Sequence, residues 1–406
     1  MPKASPALLV ALLLVAGLAA PASVGGVSLL DTQAATVTPE VGVSENTTRV
    51  LRLEQIQASG FGEPQVVVLD AATAQEAELD TQYSLAAIDE RLSDAPNASA
   101  RRQILRNYTD AAAADVEALQ TAERDARDSY TDGEIDAQEY AQKLAVIHAR
   151  ASSLSRFLGG FGENAPSLYT YASPYGSIQN RIAYLNEELK YLTGPVRAEM
   201  VSAIQGEREP VRAFLASGED GFELSYIRSD GVYVRSAYRA DNIDSNTSTA
   251  GGIELLVRIS PDLYPWATKT SSLSGVPILQ HGTIRMTLLH SQGRIISHID
   301  ETTKQVYYEI QYKRLDVLPV DYAFNRTENG TRVLVSETYP GGPLQVKLLN
   351  GTSENKSGIQ GVPVTVNETV THRTGENGVA WFVSPNGEYN VTTTYKGTKF
   401  QINITE

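Results

Sequence analysis

Residues 140–158 read YAQKLAVIHARASSLSRFL, and residues 222–238 read FELSYIRSDGVYVRSAY. The first stretch places Tyr140, Leu144, Ile147, Ala151, Leu154 and Leu158 at a 4-3-4-3-4 spacing, the apolar stripe of a helix. The second alternates apolar and polar residues around Ser229-Asp230-Gly231, the pattern of a β-hairpin. The period therefore changes from about 3.6 to 2 near residue 220, and a helical part gives way to a β-rich one. Within the helical part, Ile178, Ile182, Leu185, Leu189 and Leu192 repeat the 4-3-4-3 spacing. Such seams predict coiled-coil-like helices packed as a long antiparallel hairpin or small bundle. Upstream, Leu85, Ile88 and Leu92 begin one helical face, DAPNAS (94–99) breaks it, and Leu105, Tyr108, Ala112, Val116, Leu119, Ala122 and Ala126 resume it. PQVVVL (64–69) predicts a short strand, and Thr193-Gly194-Pro195 predicts a helix stop and restart.

Downstream, residues 252–269 suggest a helix interrupted by Pro261 and Pro265, followed by strands over 283–289, 294–299 and 305–312. Short strands over 344–349, 362–366, 379–383, 389–395 and 400–404 predict a small β-sandwich, with Trp381 anchoring its core and Tyr389 and Val391 on one face. The expected class is multidomain α+β: an N-terminal antiparallel helical hairpin or bundle, a small antiparallel sheet with a helix, and a C-terminal sandwich. The expected division is 1–22 signal peptide, 23–48 flexible linker, 49–216 acidic helical domain, 217–336 α+β domain and 337–406 Ig-like or transthyretin-like β-sandwich.

The chain of 406 residues has no cysteine and a net charge of −14. Missing cysteine excludes disulfides, thiol nucleophiles and thiolate metal sites. Acidity argues against nucleic acid as a partner. The charge is uneven, with residues 41–220 carrying −12 and residues 221–406 carrying −1. Lys3, an apolar run over 7–20 and the small-x-small site Ala20-Pro21-Ala22 have the form of a secretory signal. No second apolar run follows, so no transmembrane helix is expected in the mature chain. Asn-x-Ser/Thr occurs at Asn46, Asn97, Asn107, Asn246, Asn325, Asn329, Asn350, Asn355, Asn367, Asn390 and Asn403, 11 of the 17 asparagines. At the Ser plus Thr content of this chain, chance would place fewer than three. The excess predicts a secreted glycoprotein.

Motifs for chemistry are sparse. Asp128, Asp132, Gly133, Asp136 and Glu139 fit positions of a calcium loop, but Tyr130 occupies a ligand position, and a helix-hairpin turn is the favoured reading. The histidines His148, His281, His290, His298 and His372 form no i, i+4 pair. His148 is expected at a surface or helix seam, and His290 and His298 flank a turn where they could face each other near Asp300. No P-loop, Gly-x-Gly-x-x-Gly or nucleophile elbow is present, so no cofactor and no catalytic residue is expected. Tyr169, Tyr171, Tyr175, Tyr184 and Tyr191 cluster around two helices, where inter-helix contact is preferred over a binding platform.

YTDGEID (130–136), LTGPVR (192–197), DGVYVRSAY (230–238) and TYPGGPL (338–344) resemble, in the same order, stretches of an uncharacterised family of secreted cell-surface proteins of halophilic archaea. The resemblance implies a surface location and no transferable activity. TGENG (374–378), Trp381-Phe382, PNG (385–387) and Tyr389-Asn390-Val391 resemble the carboxypeptidase regulatory-like, transthyretin-like sandwich, which implies a spacer or binding module. GRII (293–296) with DETTKQV (300–306) resembles the last hairpin of a PepSY module, which implies a regulatory fold. The expected function is non-enzymatic, structural or binding, with a protein or glycan partner at the cell surface. The alternatives are a regulator or tether of a secreted peptidase and a carboxylate hydrolase.

Overall fold

The computed structural model describes residues 46–159, 166–244, 252–270, 272–273, 282–351 and 357–405. The signal-like segment, most of the expected linker, His281, Asn246 and Asn355 lie outside the described residues.

The chain enters as an extended segment and forms strand β1 (Ala58–Gly62), then helices α1 (Val68–Ser93), α2 (Ala98–Thr131) and α3 (Ala137–Leu158). A short α4 (Leu168–Tyr171) precedes α5 (Gly176–Glu188) and α6 (Pro195–Ile204). The residues at the breaks do the capping. Asn97 accepts a hydrogen bond from Ala100 N at the start of α2, Asp136 accepts from Glu139 N at the start of α3, and Pro195 opens α6. The expected antiparallel hairpin is α2–α3.

Two readings need correction here. The expected strand at 64–69 is absent: β1 ends at Gly62, and Val68 already opens α1. A strand needs an edge to pair with, and residues 58–62 have it, running antiparallel to residues 213–218. They also pass so close to α3 that a Cβ at Gly62 would lie 2.5 Å from Ala137 O. The single 140–158 seam is likewise too narrow a description. Ala141, Ala145, Ala149, Ser153 and Phe157 are buried as well as Tyr140, Leu144, Ile147, Ala151 and Leu158, because α3 is enclosed by α1, α2, α6 and β1. A helix apolar on nearly all sides is a bundle core, not a two-stranded coiled coil.

Strands β2 (Ala213–Gly218), β3 (Gly221–Ile227) and β4 (Val232–Arg239) follow as a meander. Helix α7 (Gly252–Leu263) continues through Pro261, so the expected interruption falls only at Pro265, which opens α8 (Pro265–Thr270); β5 (Ser272–Leu273), β6 (Thr283–His290), β7 (Gly293–Asp300) and β8 (Val306–Arg314) complete the sheet. The antiparallel sheet with helices is as expected, but it has eight strands in the order β1-β2-β3-β4-β8-β7-β6-β5. That breadth exceeds the three- or four-stranded sheet implied by the PepSY likeness. Alternation puts Leu215, Phe222, Leu224, Tyr226, Val234 and Tyr308 against the bundle, in one apolar core with α2, α3, α5 and α6. A smaller core joins α7 and α8 to Ile284, Met286, Leu288, Ile295 and Ile299.

The C-terminal part holds β9 (Phe324–Glu328), β10 (Thr331–Glu337), β11 (Pro343–Asn350), β12 (Ser357–Gly358), β13 (Pro363–Val366), β14 (Val370–Arg373), β15 (Val379–Val383), β16 (Tyr389–Tyr395) and β17 (Thr398–Ile404). They form two antiparallel sheets, one of β12-β11-β10-β9 with β15 beside β11, the other β14-β13-β16-β17. Val335, Leu344, Val346, Val364, Phe382, Tyr389, Val391 and Phe400 fill the space between them. Tyr389 and Val391 share the core as expected. Trp381 does not: it is half-buried and packs outward with Leu53, Phe214, Tyr233 and Val383, where the sandwich meets the large sheet. On a strand, residues 381 and 382 face opposite ways, and Phe382 takes the core position.

Candidate functional site

The polar residues of the large sheet draw attention because they are buried. In FELSYI and VYVRSAY the polar positions would suit a solvent-facing side. Instead Glu223 is 2%, Arg235 1%, Glu309 1%, Gln311 0% and Lys313 3% exposed. They form a stripe across β3, β4 and β8, on the side away from the bundle. Arg235 pairs with Glu223 at 2.7 Å and with Glu309 at 3.3 Å. Tyr264, between α7 and α8, donates to Glu309 at 2.5 Å. Burial alone would lower the Arg235 pKa, but Glu223, Tyr339, Tyr233 and Glu309 outweigh it and hold the guanidinium charged. The loop before β11 closes over the stripe: Tyr233 and Ser225 both donate to Gly341 O at 2.6 Å, and Arg52 stacks 5.1 Å from the Tyr339 ring. Gly341 has φ +73°, and a Cβ there would lie 2.5 Å from the Phe214 ring, so only glycine lets this loop approach.

A second buried cluster lies under the bundle. Glu123 of α2 meets Arg197 of α6 at 3.2 Å and Arg127 at 3.5 Å, with side chains 0%, 2% and 6% exposed. Arg197 also lies 4.5 Å over the Phe222 ring, and Tyr191 stacks on Tyr238 at 4.0 Å beside it. His148 sits at the helix seam as expected, its Nδ1 accepting from Gly194 N at 3.4 Å. Burial, then Arg197, pushes its pKa down to about 3, so this imidazole is neutral.

A groove of about 910 Å³ opens where all three parts meet. Its wall includes Phe61, Glu199, Arg212, Tyr226, Asn367 and His372. Three of its carboxylates are paired with arginines: Glu199 with Arg208 at 3.0 Å, Glu63 with Arg212 at 3.7 Å, and Asp230 with Arg228. Arg212 also covers Phe61 at 4.3 Å. These carboxylates are neutralised in place rather than converging on one empty point, as a glycosidase pair would.

The calcium-loop residues are engaged in the α2–α3 turn. Asp132 ends α2, Gly133 has φ +73°, Asp136 caps α3, Glu139 lies 3.5 Å from Lys143, and Asp128 is 4.0 Å from Arg127. Among the described residues no group of three or more His, Cys, Asp or Glu is placed to hold a metal ion. The expected facing of His290 and His298 is corrected by register: His290 pairs with Gly293 and His298 with Arg285. With only a two-residue turn between β6 and β7, His298 lies near the far end of its strand. His298 Nδ1 meets Glu187 of α5 at 2.6 Å, and Asp300 accepts from Thr302 N and Thr303 N instead. Burial would raise Glu187, but the charge and hydrogen bond of His298, with Lys190 and Arg285, hold it below the usual range. Of the tyrosine group, Tyr191 is buried and Tyr175 donates to Ala98 O at 3.2 Å, while Tyr184 is 39% exposed.

The two buried charge clusters were not legible in the sequence. Their one available sign was local: Arg235 lies inside DGVYVRSAY and Arg197 inside LTGPVR, two of the stretches that carried the resemblance.

Bundle, broad sheet and sandwich, joined through buried charge, define a three-part α+β protein. Its parts coincide with three family models: a domain of unknown function (DUF7096) over residues 1–209, a family of unknown function (DUF7094) over 213–319, and an archaeal fibronectin-III type-like domain over 323–401. No curated protein and no solved structure matches the chain. The first model covers more than half of the 406 residues, and the chain belongs to the DUF7096 family. It is an archaeal multidomain protein with two domains of unknown function and a C-terminal fibronectin-type sandwich.

Proposed function

We propose that this protein is an exported, non-enzymatic glycoprotein of an archaeal cell surface, with a structural or binding role. One observation carries the reading. Nine sequon asparagines fall among the described residues; Asn46, Asn97, Asn107, Asn325, Asn329, Asn350, Asn367 and Asn403 are exposed, and Asn390 is half-buried. Asn186 and Asn242, the fully buried asparagines among the described residues, belong to no sequon. A distribution in which the modifiable side chains face outward suits a chain that carries glycans without damage to its cores. The secretory form of residues 1–22 and the resemblance to surface proteins of halophilic archaea support the same location. Among the described residues no helix is long and apolar enough to cross a membrane. The acidic bundle would then hydrate its surface with carboxylates, and the nearly neutral sandwich with sugars.

The test is surface labelling of intact cells with a membrane-impermeant amine reagent. The reading expects the chain to be labelled along with other surface proteins. A chain labelled only after lysis would overturn it.

A further inference from the structure

Residues 46–57 cross the polar stripe as a strap, six of whose twelve residues are held through their main chain, while Thr47 and Thr48 donate from their side chains to Gln292 and Gln311. Gln292 at the β6–β7 turn donates to Asn46 O at 2.7 Å, and Gln311 of β8 donates to Arg49 O at 2.6 Å. Leu51 N donates to Glu309 at 2.9 Å, while Arg235 of β4 donates to Leu51 O. Arg239 donates to Arg52 O at 3.3 Å, and Leu53 N donates to Glu223 of β3 at 2.7 Å. Gln57 N then reaches Ser217 O of β2 at 2.8 Å. Leu51 and Leu53, two apart, enter the two apolar clusters flanking the stripe. No strand supplies these contacts between residues 46 and 54; side chains of the sheet do. The arrangement imitates a β-ladder with carboxylates, amides and guanidinium groups.

We propose that this stripe is a binding site for an extended peptide, recognised by its main chain and by apolar residues two apart, which residues 46–54 fill in cis. The chemistry explains why the stripe is charged. A buried carboxylate accepts a peptide N–H, and a buried guanidinium donates to a peptide carbonyl, so groups that already pair with one another have capacity left for a main chain lying across them. An empty site would leave Glu223 and Glu309 paired with Arg235 but short of the N–H of Leu53 and Leu51, and Gln311 without Thr48 and Arg49 O, which favours occupancy by a segment with the same pattern of groups. Arg52, between the two apolar positions, adds side-chain contacts to Glu223 at 3.5 Å and to the Tyr339 ring, so a peptide supplied in trans that carries a cation there competes with the strap.

The test uses the full chain and a fluorescent synthetic peptide of residues 46–57. In a Leu51→Gly/Leu53→Gly variant the strap loses its apolar anchors while the stripe is intact. The proposal expects this variant to bind the peptide by anisotropy at least about tenfold more tightly than the unaltered chain, whose site is occupied. A peptide N-methylated at the positions matching Leu51 and Leu53 lacks the two donated protons and should bind about tenfold or more weakly. Equal binding to variant and unaltered chain, or indifference to N-methylation, would overturn the proposal. If the double variant loses its folded far-UV spectrum, Leu53→Ala, a smaller loosening, gives the same two readings.

Discussion

The Glu123–Arg127–Arg197 cluster offers a quantitative test of how the bundle is fastened to the sheet. Removing Glu123 as Glu123→Ala leaves two guanidinium groups in a site where the side chains are 0%, 6% and 2% exposed. Breaking a buried ion pair by deleting one partner costs about 3–5 kcal/mol, since the survivor keeps its desolvation penalty and loses its attraction. Arg197→Met should cost less, about 1–3 kcal/mol, because Glu123 keeps Arg127 at 3.5 Å and methionine still covers Phe222. Replacing all three, as Glu123→Leu/Arg127→Met/Arg197→Met, removes every buried charge and should recover most of the loss. The assay is urea unfolding followed by tyrosine and tryptophan fluorescence, comparing the unaltered chain, the two single variants and the triple variant. A single-variant cost under about 1 kcal/mol, or a triple variant as unstable as Glu123→Ala, would refute the reasoning.

Other outcomes follow from the same geometry. His148 has its folded pKa at about 3, below its ordinary 6.5, so between these values the unfolded chain binds the additional proton. Stability should therefore fall on acidification, by about 2 kcal/mol between pH 7 and pH 5, and His148→Gln should flatten this part of the profile in urea titrations. Phe382→Ala should destabilise the sandwich by about 3–5 kcal/mol, more than Trp381→Ala, as measured by denaturant unfolding; the reverse order would restore Trp381 to the core. Asp136→Ala removes the cap of α3 and should cost about 1 kcal/mol in the same measurement.

The two opening stretches differ in how much they disclosed. Periodicity located the helices, the hairpin around Gly231, the break before Pro265 between α7 and α8, and the terminal sandwich, because each depends on local pattern and turn chemistry. What lay beyond reach depends on contacts distant in sequence. Residues 58–62 become a strand only because β2 lies beside them, whereas the more β-like Val66-Val67-Val68 has no edge to join. Glu223 and Arg235 occupy positions that an isolated hairpin would turn to water. They are buried because residues 46–57 and Tyr339, more than a hundred residues away on either side, close over them. The same alternation that placed them correctly on one face gave no sign that the face was covered. The candidate site was thus legible as a row of polar residues but not as a buried one. His298 shows the same limit, since its partner Glu187 comes from α5, 111 residues earlier.

The central claim, an exported surface glycoprotein, is tested most directly by glycopeptide mass spectrometry of the chain purified from its own archaeal cells. An exported glycoprotein should show an N-terminus beyond residue 22 and glycans on exposed asparagines such as Asn107, Asn350 and Asn403. An unmodified chain that retains residues 1–22 and is recovered from the cytosol would contradict it.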